Sequence, residues 1–221
     1  MPAPDSASTP IGAVVLVGGR ARRMGGAAKH LLELGVSTPW DRTLDALAAH
    51  GVSPVVAVGP APADRGARTG AAPGRAVTWV REDPPFGGPV AALAAALSRP
   101  ELDDAEEFLL LAGDLAHPEA VIARLAEREP TRLDRSPDAV VFRAGGHPQW
   151  LAGRYSAAAV RAALAGFGEV DGASCRALLG GLPIRWVADE DGITADIDTP
   201  DDLERARADA AGSAVRSEEP R

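Results

Sequence analysis

The chain has 221 residues, 46% hydrophobic and 24% charged, which suits one full-sized domain, and with only 4% aromatic residues its core must be built from Ala, Val and Leu. A formal net charge of −8 argues against a nucleic-acid partner, and the positive charge that matters is gathered in one early loop. A single cysteine, Cys175, excludes an intrachain disulfide, and no apolar run is long enough for a signal or a membrane span, so a cytoplasmic protein with no membrane partner is expected.

Met1–Pro10 is polar and reads as a disordered leader to a single domain over 11–211, with a flexible tail over 212–221. Ile11–Val17 is apolar throughout, as in a parallel strand covered on both faces. Ala28–Leu34 begins a helix or a short turn. Asp41–His50 has helical spacing at Leu44, Leu47 and Ala48, and Gly51 ends it. Val52–Gly59 is the second strand, Pro60–Arg75 a surface loop and Val77–Val80 the third strand. Val90–Leu97 is an alanine-rich helix that can pack closely on a sheet. Glu107–Ala112 is the fourth strand, stopped by Gly113-Asp114, and Pro118–Glu129 is a helix with Pro in its first turn.

Asp138–Phe142 is the fifth strand, followed by a glycine-marked turn over Arg143–His147 and by Pro148–Leu151, to which no element is assigned. Helices are expected over Ser156–Leu164 and Ala173–Leu179, a strand over Ile184–Val187 and a turn over Glu190–Ile193. Asp196–Pro200 opens a terminal helix, Asp201–Ala211, with Thr199 as its cap. Strands alternating with helices predict an α/β three-layer sandwich with a mainly parallel central sheet. Ligands of such sheets lie at the carboxyl ends of strands, so the loops after the first, third and fourth strands are the ones to inspect.

The first of these loops carries Gly18-Gly19, Arg20, Arg22, Arg23, Met24, Gly25-Gly26 and Lys29. Glycines let backbone N–H groups approach phosphates, and Arg and Lys supply charge where anionic oxygens gather, so a strand feeding such a loop reads as a polyphosphate cradle. Asp114 ends a buried strand after a glycine, where its carboxylate reaches the ligand face, and the partner suited to it is Mg²⁺, a hard cation that bridges phosphate oxygens. Asp196 and Asp198 share a side if their segment is extended, so both are candidates to complete a metal anchor, Asp196 first and Asp198 second. The alternative role for Asp198 is to partner the N-terminus of the terminal helix. One thiol and four scattered histidines make no zinc constellation.

The text LVGGRARRMGGAAKHLL resembles the signature of the nucleotidyltransferase superfamily, and within it the MobA-like molybdenum cofactor guanylyltransferase group. Three further pieces agree in kind and order: Asp83 with Gly88-Pro89, the strand end Leu110–Asp114, and Asp196–Leu203. Gln149-Trp150-Leu151 resembles the group's Q-P-L element, with Trp150 in the proline's place. Two departures are Ala21, where a small polar residue is common, and Asp196 and Asp198, where asparagines are common.

The resemblance implies the Rossmann-like nucleotide-diphospho-sugar transferase fold and transfer of a nucleotidyl group from a nucleoside triphosphate to a phosphate, with GTP as donor, a molybdopterin-type small molecule as acceptor and Mg²⁺ as metal. It implies that Arg23, Lys29 and Asp114 are catalytic. Leu16, Gly18, Gly19, Arg20, Arg23, Gly25, Lys29, Asp83, Gly88 and Asp114 would bind nucleotide, with Asp83 at the base or ribose. Asp114, Asp196 and Asp198 would hold the metal, and Gln149 and Trp150 would meet the acceptor. CTP in place of GTP, another phosphorylated acceptor, or a non-catalytic nucleotide-binding role are the alternatives. A dinucleotide-dependent oxidoreductase is set aside, because it needs G-x-G-x-x-G and an acid on the second strand, and Val55–Gly59 has none.

Overall fold

The computed structural model describes residues 10–18, 29–61, 76–127 and 137–217. Its centre is a seven-stranded sheet of β1 (Ile11–Leu16), β2 (Val55–Val58), β3 (Val77–Val80), β4 (Glu107–Ala112), β5 (Ala139–Ala144), β6 (His147–Ser156) and β7 (Ile184–Ala188), in the order β3-β2-β1-β4-β6-β5-β7. β1 pairs in parallel with β2 and β4, β2 with β3, and β5 with β7. β6 alone runs antiparallel, between β4 and β5. The apolar runs of β1, β2 and β4 are the strands buried on both faces, as expected of central parallel strands.

Helices α1 (Pro39–Ala49), α2 (Gly88–Leu97), α3 (Pro118–Ala126), α4 (Ala157–Ala165), α5 (Cys175–Leu179) and α6 (Pro200–Ser217) complete the layers. One face of the sheet buries Trp40, Leu44 and Leu47 of α1 and Val121 and Ile122 of α3. The other buries Val90 and Leu93 of α2, Val160 of α4 and Leu178 of α5. The expected three-layer α/β sandwich is therefore what the chain builds. Among the described residues, no helix is long and apolar enough to cross a membrane.

Two expectations are corrected. Pro148–Leu151 belongs to the ten-residue strand β6, and Gly145-Gly146, both at positive φ, form the two-residue hairpin that reverses the chain from β5. The strand is hard to see in the sequence because Gly153 and Arg154 interrupt it. Arg154 is buried in place by donating to the Leu125 and Glu127 carbonyl oxygens. The terminal helix also runs to Ser217, six residues past its expected end, into the stretch expected to be tail. Elsewhere the differences are at element ends. The turn expected somewhere in Ala28–Leu34 is a single 3-10 turn, Lys29–Leu31. Met1–Thr9, most of the Pro60–Arg75 loop and residues 218–221 lie outside the described residues.

Candidate functional site

The carboxyl ends of β1 and β4 are brought together by close backbone packing. A Cβ on Gly113 would lie 3.0 Å from the Leu16 carbonyl oxygen and 3.2 Å from Val17 Cα, so only glycine lets the β4 end cross against β1 there. Asp114 follows at once. Its carbonyl oxygen accepts from Ile197 N–H at 2.9 Å, and Ala116 N–H donates to the Ala195 carbonyl oxygen at 2.9 Å, with Leu115 and Asp196 bridged antiparallel between them. A loop from mid-chain is thus zipped to the late acidic segment. Ile197 is fully buried while Asp196 and Asp198 are exposed on either side of it, the alternation expected of an extended segment.

Beneath this zipper lies a small separate core of Leu34, Ala116, Ile197, Leu203 and Ala206. It joins the Asp114 loop, the acidic segment, α6 and the connection that follows Lys29. Lys29 itself stands on a turn anchored by His30, which is 3% exposed and edge-on to Trp40 with ring centroids 6.2 Å apart. Trp40 sits at the start of α1, which is held by a capping box between Thr38 and Asp41. A buried floor therefore fixes the backbone on which Lys29 and both aspartates stand.

Above that floor, Lys29 Nζ donates to Asp114 Oδ2 at 3.1 Å and to Asp198 Oδ1. Burial works against the Lys29 charge, but its hydrogen bonds to Asp198 and Asp114 outweigh it and hold the ammonium above its ordinary range. Partial burial of the Asp196 carboxyl and the negative charges of Asp114 and Asp198 push it up to about 7, against the pull of Lys29. Asp196 as a residue stays exposed, so the two like charges are the firmer cause. Asp198 does not cap α6. Thr199 does, as expected: its Oγ1 accepts from Asp202 N–H at 3.2 Å, while Asp202 Oδ2 accepts from Asp198 N–H at 3.1 Å, Thr199 N–H at 2.7 Å and Thr199 Oγ1 at 2.7 Å. Asp189, which accepts from Ile193 N–H, Thr194 N–H and Thr194 Oγ1, ties the turn that delivers the segment. Asp189 carries no signal in the sequence, whereas Asp202 stands in the first turn of the expected terminal helix, at capping-box spacing from Thr199.

Among the described residues, no three His, Cys, Asp or Glu side chains are grouped so as to hold a metal ion by themselves. What the site offers is oxygen donors of two carboxylates aimed at one cation, with a third nearby. Such a donor set fits Mg²⁺ or Mn²⁺, hard ions for which one or two carboxylates suffice when phosphates and water fill the other positions.

The remaining expected residues lie around this centre. Leu16 ends β1 and Gly18 lies two residues beyond it, where a Cβ would meet only ordinary contacts at 3.8 Å, so protein packing does not demand glycine there. Gly19, Arg20, Arg23 and Gly25 lie outside the described residues. Asp83 is exposed on the loop after β3, three strand spacings from β4, or about 14 Å. Gly88, at φ 89°, is the first residue of α2. On the other flank, Gln149 and Trp150 lie on β6 beyond its last pair with β4, Leu111–Ala152. Trp150 meets Trp186 of β7 edge-on at 5.8 Å, and the Arg143 guanidinium lies 4.1 Å over the Trp186 ring. Trp186 and Arg143 escape sequence reading because β5 and β7 become neighbours only in the sheet. The four histidines hold no position of this kind: His30 is packed in the floor, and His117 lies 3.5 Å from Asp209.

The fold has known relatives. Rv0371c of Mycobacterium tuberculosis H37Rv, solved in complex with manganese, is 27% identical, with a TM-score of 0.60 over 90% of this chain and 98% of that one. The molybdopterin-guanine dinucleotide biosynthesis protein A of Archaeoglobus fulgidus is 21% identical, with a TM-score of 0.59 over 91% and 100%. The 2-C-methyl-D-erythritol 4-phosphate cytidylyltransferase of Thermus thermophilus is 19% identical, with a TM-score of 0.57 over 91% and 99%. The last two show the shared nucleotidyltransferase fold. No curated protein sequence matches the chain. The MobA-like NTP transferase domain matches residues 13–191, from within β1 to the turn before Asp196. With that match spanning most of its length, the chain belongs to the MobA-like NTP transferase domain family and is a nucleotidyltransferase.

Proposed function

We propose that the protein transfers GMP from GTP to the terminal phosphate of a molybdopterin-type acceptor, with release of pyrophosphate. The observation that carries this reading is the convergence of Lys29, Asp114 and Asp198, with Asp114 at the carboxyl end of β4 beside the end of β1. An oxygen of the acceptor phosphate attacks the α-phosphorus, the bond from that phosphorus to the bridging oxygen breaks, and pyrophosphate carries the electron pair away. The phosphate nucleophile needs no strong base, which agrees with histidines that stand apart from the aspartates. The chain's work is positioning and charge stabilisation.

In this reading Leu16, Gly18, Gly19, Arg20 and Gly25 line the nucleotide, and Arg23 and Lys29 hold the phosphates and stabilise charge on the leaving pyrophosphate. The spare room over Gly18 is then space for ligand. Asp83 and Gly88 shape the base and ribose end, on the β3 side. Asp114, Asp198 and Asp196 would hold Mg²⁺, which when bound supplies Lewis-acid stabilisation of the phosphate oxygens. Gln149 and Trp150 face the acceptor, and Trp186 with Arg143 extends the same flank with an aromatic surface and a positive charge.

Pyrophosphate release from GTP, CTP, ATP and UTP in turn, with purified molybdopterin and Mg²⁺, tests the proposal. Turnover with GTP is expected. Preference for CTP would move the donor to cytidine, and no turnover with any pair would sink the reading.

A further inference from the structure

Lys29 is the only lysine in the 221 residues, and every other member of the Lys and Arg total of 23 is an arginine. An amine stands where the chain elsewhere uses guanidinium groups. The two are not interchangeable: guanidinium is a rigid planar fork suited to a fixed bidentate partner, whereas ammonium is a compact point charge on a flexible stem. The position calls for a cation that can change partners.

The surroundings of Lys29 divide into parts that stay and one that moves. Its backbone is held by buried His30 and, further along, by Leu34 in the core under the site. Asp198 is held from behind, because its N–H is bonded to Asp202. Asp114 is held by the zipper to Ile197. The Lys29 stem is the free joint. Its ammonium covers Asp114 Oδ2 and Asp198 Oδ1, oxygens that a divalent ion would also use at about 2.1 Å. An ammonium and a dication on the same oxygens repel one another, so one excludes the other.

We propose that Lys29 is the resident cation of this site, seated between Asp114 and Asp198 while nucleotide is absent and drawn off to the triphosphate when nucleotide arrives, so that metal and nucleotide bind as a pair. The inference rests on the nucleotidyl-transfer reading of the same site. Its consequence is that metal alone binds weakly, since it must displace a bonded ammonium that then has no anion to go to. The triphosphate provides that anion. By linkage, each ligand then tightens the other by the same factor.

The test is Mn²⁺ binding to the full chain without nucleotide, read by the paramagnetic resonance of free Mn²⁺. Lys29→Met is expected to bind Mn²⁺ at least about fivefold tighter than the wild type, the low end of ordinary coupling between sites. Lys29→Arg keeps the positive charge and is expected to bind as weakly as the wild type. Arg161→Met makes the same charge change beside Leu102, at the opposite end of β4, and is expected to leave Mn²⁺ binding unchanged. No tightening in Lys29→Met, or equal tightening in Arg161→Met, would overturn the proposal.

A second measurement needs no variant. Lysine labelled with ¹³C at Cε yields one side-chain signal in this chain. That signal is expected to move when Mg²⁺ is added with a non-hydrolysable nucleotide, and a signal that stays in place while both are bound would overturn the proposal. Should Mn²⁺ bind in the presence of nucleotide yet no better to Lys29→Met alone, only this inference fails. Should Mn²⁺ bind none of these proteins with or without nucleotide, the metal-dependent reading fails and takes the inference with it.

Discussion

Acid should weaken the protein through a residue buried under the site. His30 is 3% exposed, packs edge-on to Trp40, and its Nε2 has no hydrogen-bond partner. Burial lowers its pKa from 6.5 to about 4. The folded value lies below the unfolded one, so above pH 6.5 both states are neutral and nothing is lost. As pH falls from 6.5 toward about 4, the unfolded chain takes up a proton that the folded chain refuses, and stability declines across that window. The full shift corresponds to about 3 kcal/mol, at about 1.4 kcal/mol per pKa unit. His30→Phe keeps a ring against Trp40 and removes the titration. Urea unfolding of both proteins from about pH 7.5 to about pH 4.5 should show the wild type losing about 2.5 kcal/mol more than the variant. Parallel pH profiles would refute the reasoning. Because His30 anchors the Lys29 turn, nucleotide binding should fail in the wild type before global unfolding over the same acid range.

Asp114→Ala should lower metal-dependent transfer by at least about 10²-fold, with the unfolding midpoint little changed, and full activity in that variant would remove Asp114 from the site. Ile197→Ala hollows the core under both late aspartates and should cost about 2–5 kcal/mol in denaturant unfolding. Asp202→Ala removes the acceptor that holds Thr199 and the Asp198 backbone, and should cost about 1 kcal/mol and weaken Mn²⁺ binding in the presence of nucleotide. Trp186→Ala should raise KM for the acceptor while leaving KM for the nucleotide unchanged, and a rise in both would place the aromatic pair outside the acceptor flank.

Local pattern carried much of this structure. β4 has the limits that its apolar run suggests, because a strand buried on both faces leaves an uninterrupted signal. β6 left no such signal. Gly153 and the buried Arg154 make sense only beside β4 and β5 and below the Leu125 and Glu127 carbonyl oxygens, none of which is local to them. The hairpin glycines were visible, but what followed them was decided by the sheet.

The site divides in the same way. From residue types and strand ends alone, the sequence determined that glycines and cationic side chains follow β1, that a carboxylate follows β4 and that two more stand together near the end of the chain. It also determined the family, through the order of those pieces. Tertiary structure alone decided which acids meet: Lys29 lies 85 positions from Asp114 and 169 from Asp198, yet one ammonium touches both. Sequence spacing cannot express such a contact. It arises because Leu34, Ala116, Ile197 and Leu203 bury one another, and burying them brings three separate stretches of charged chain together.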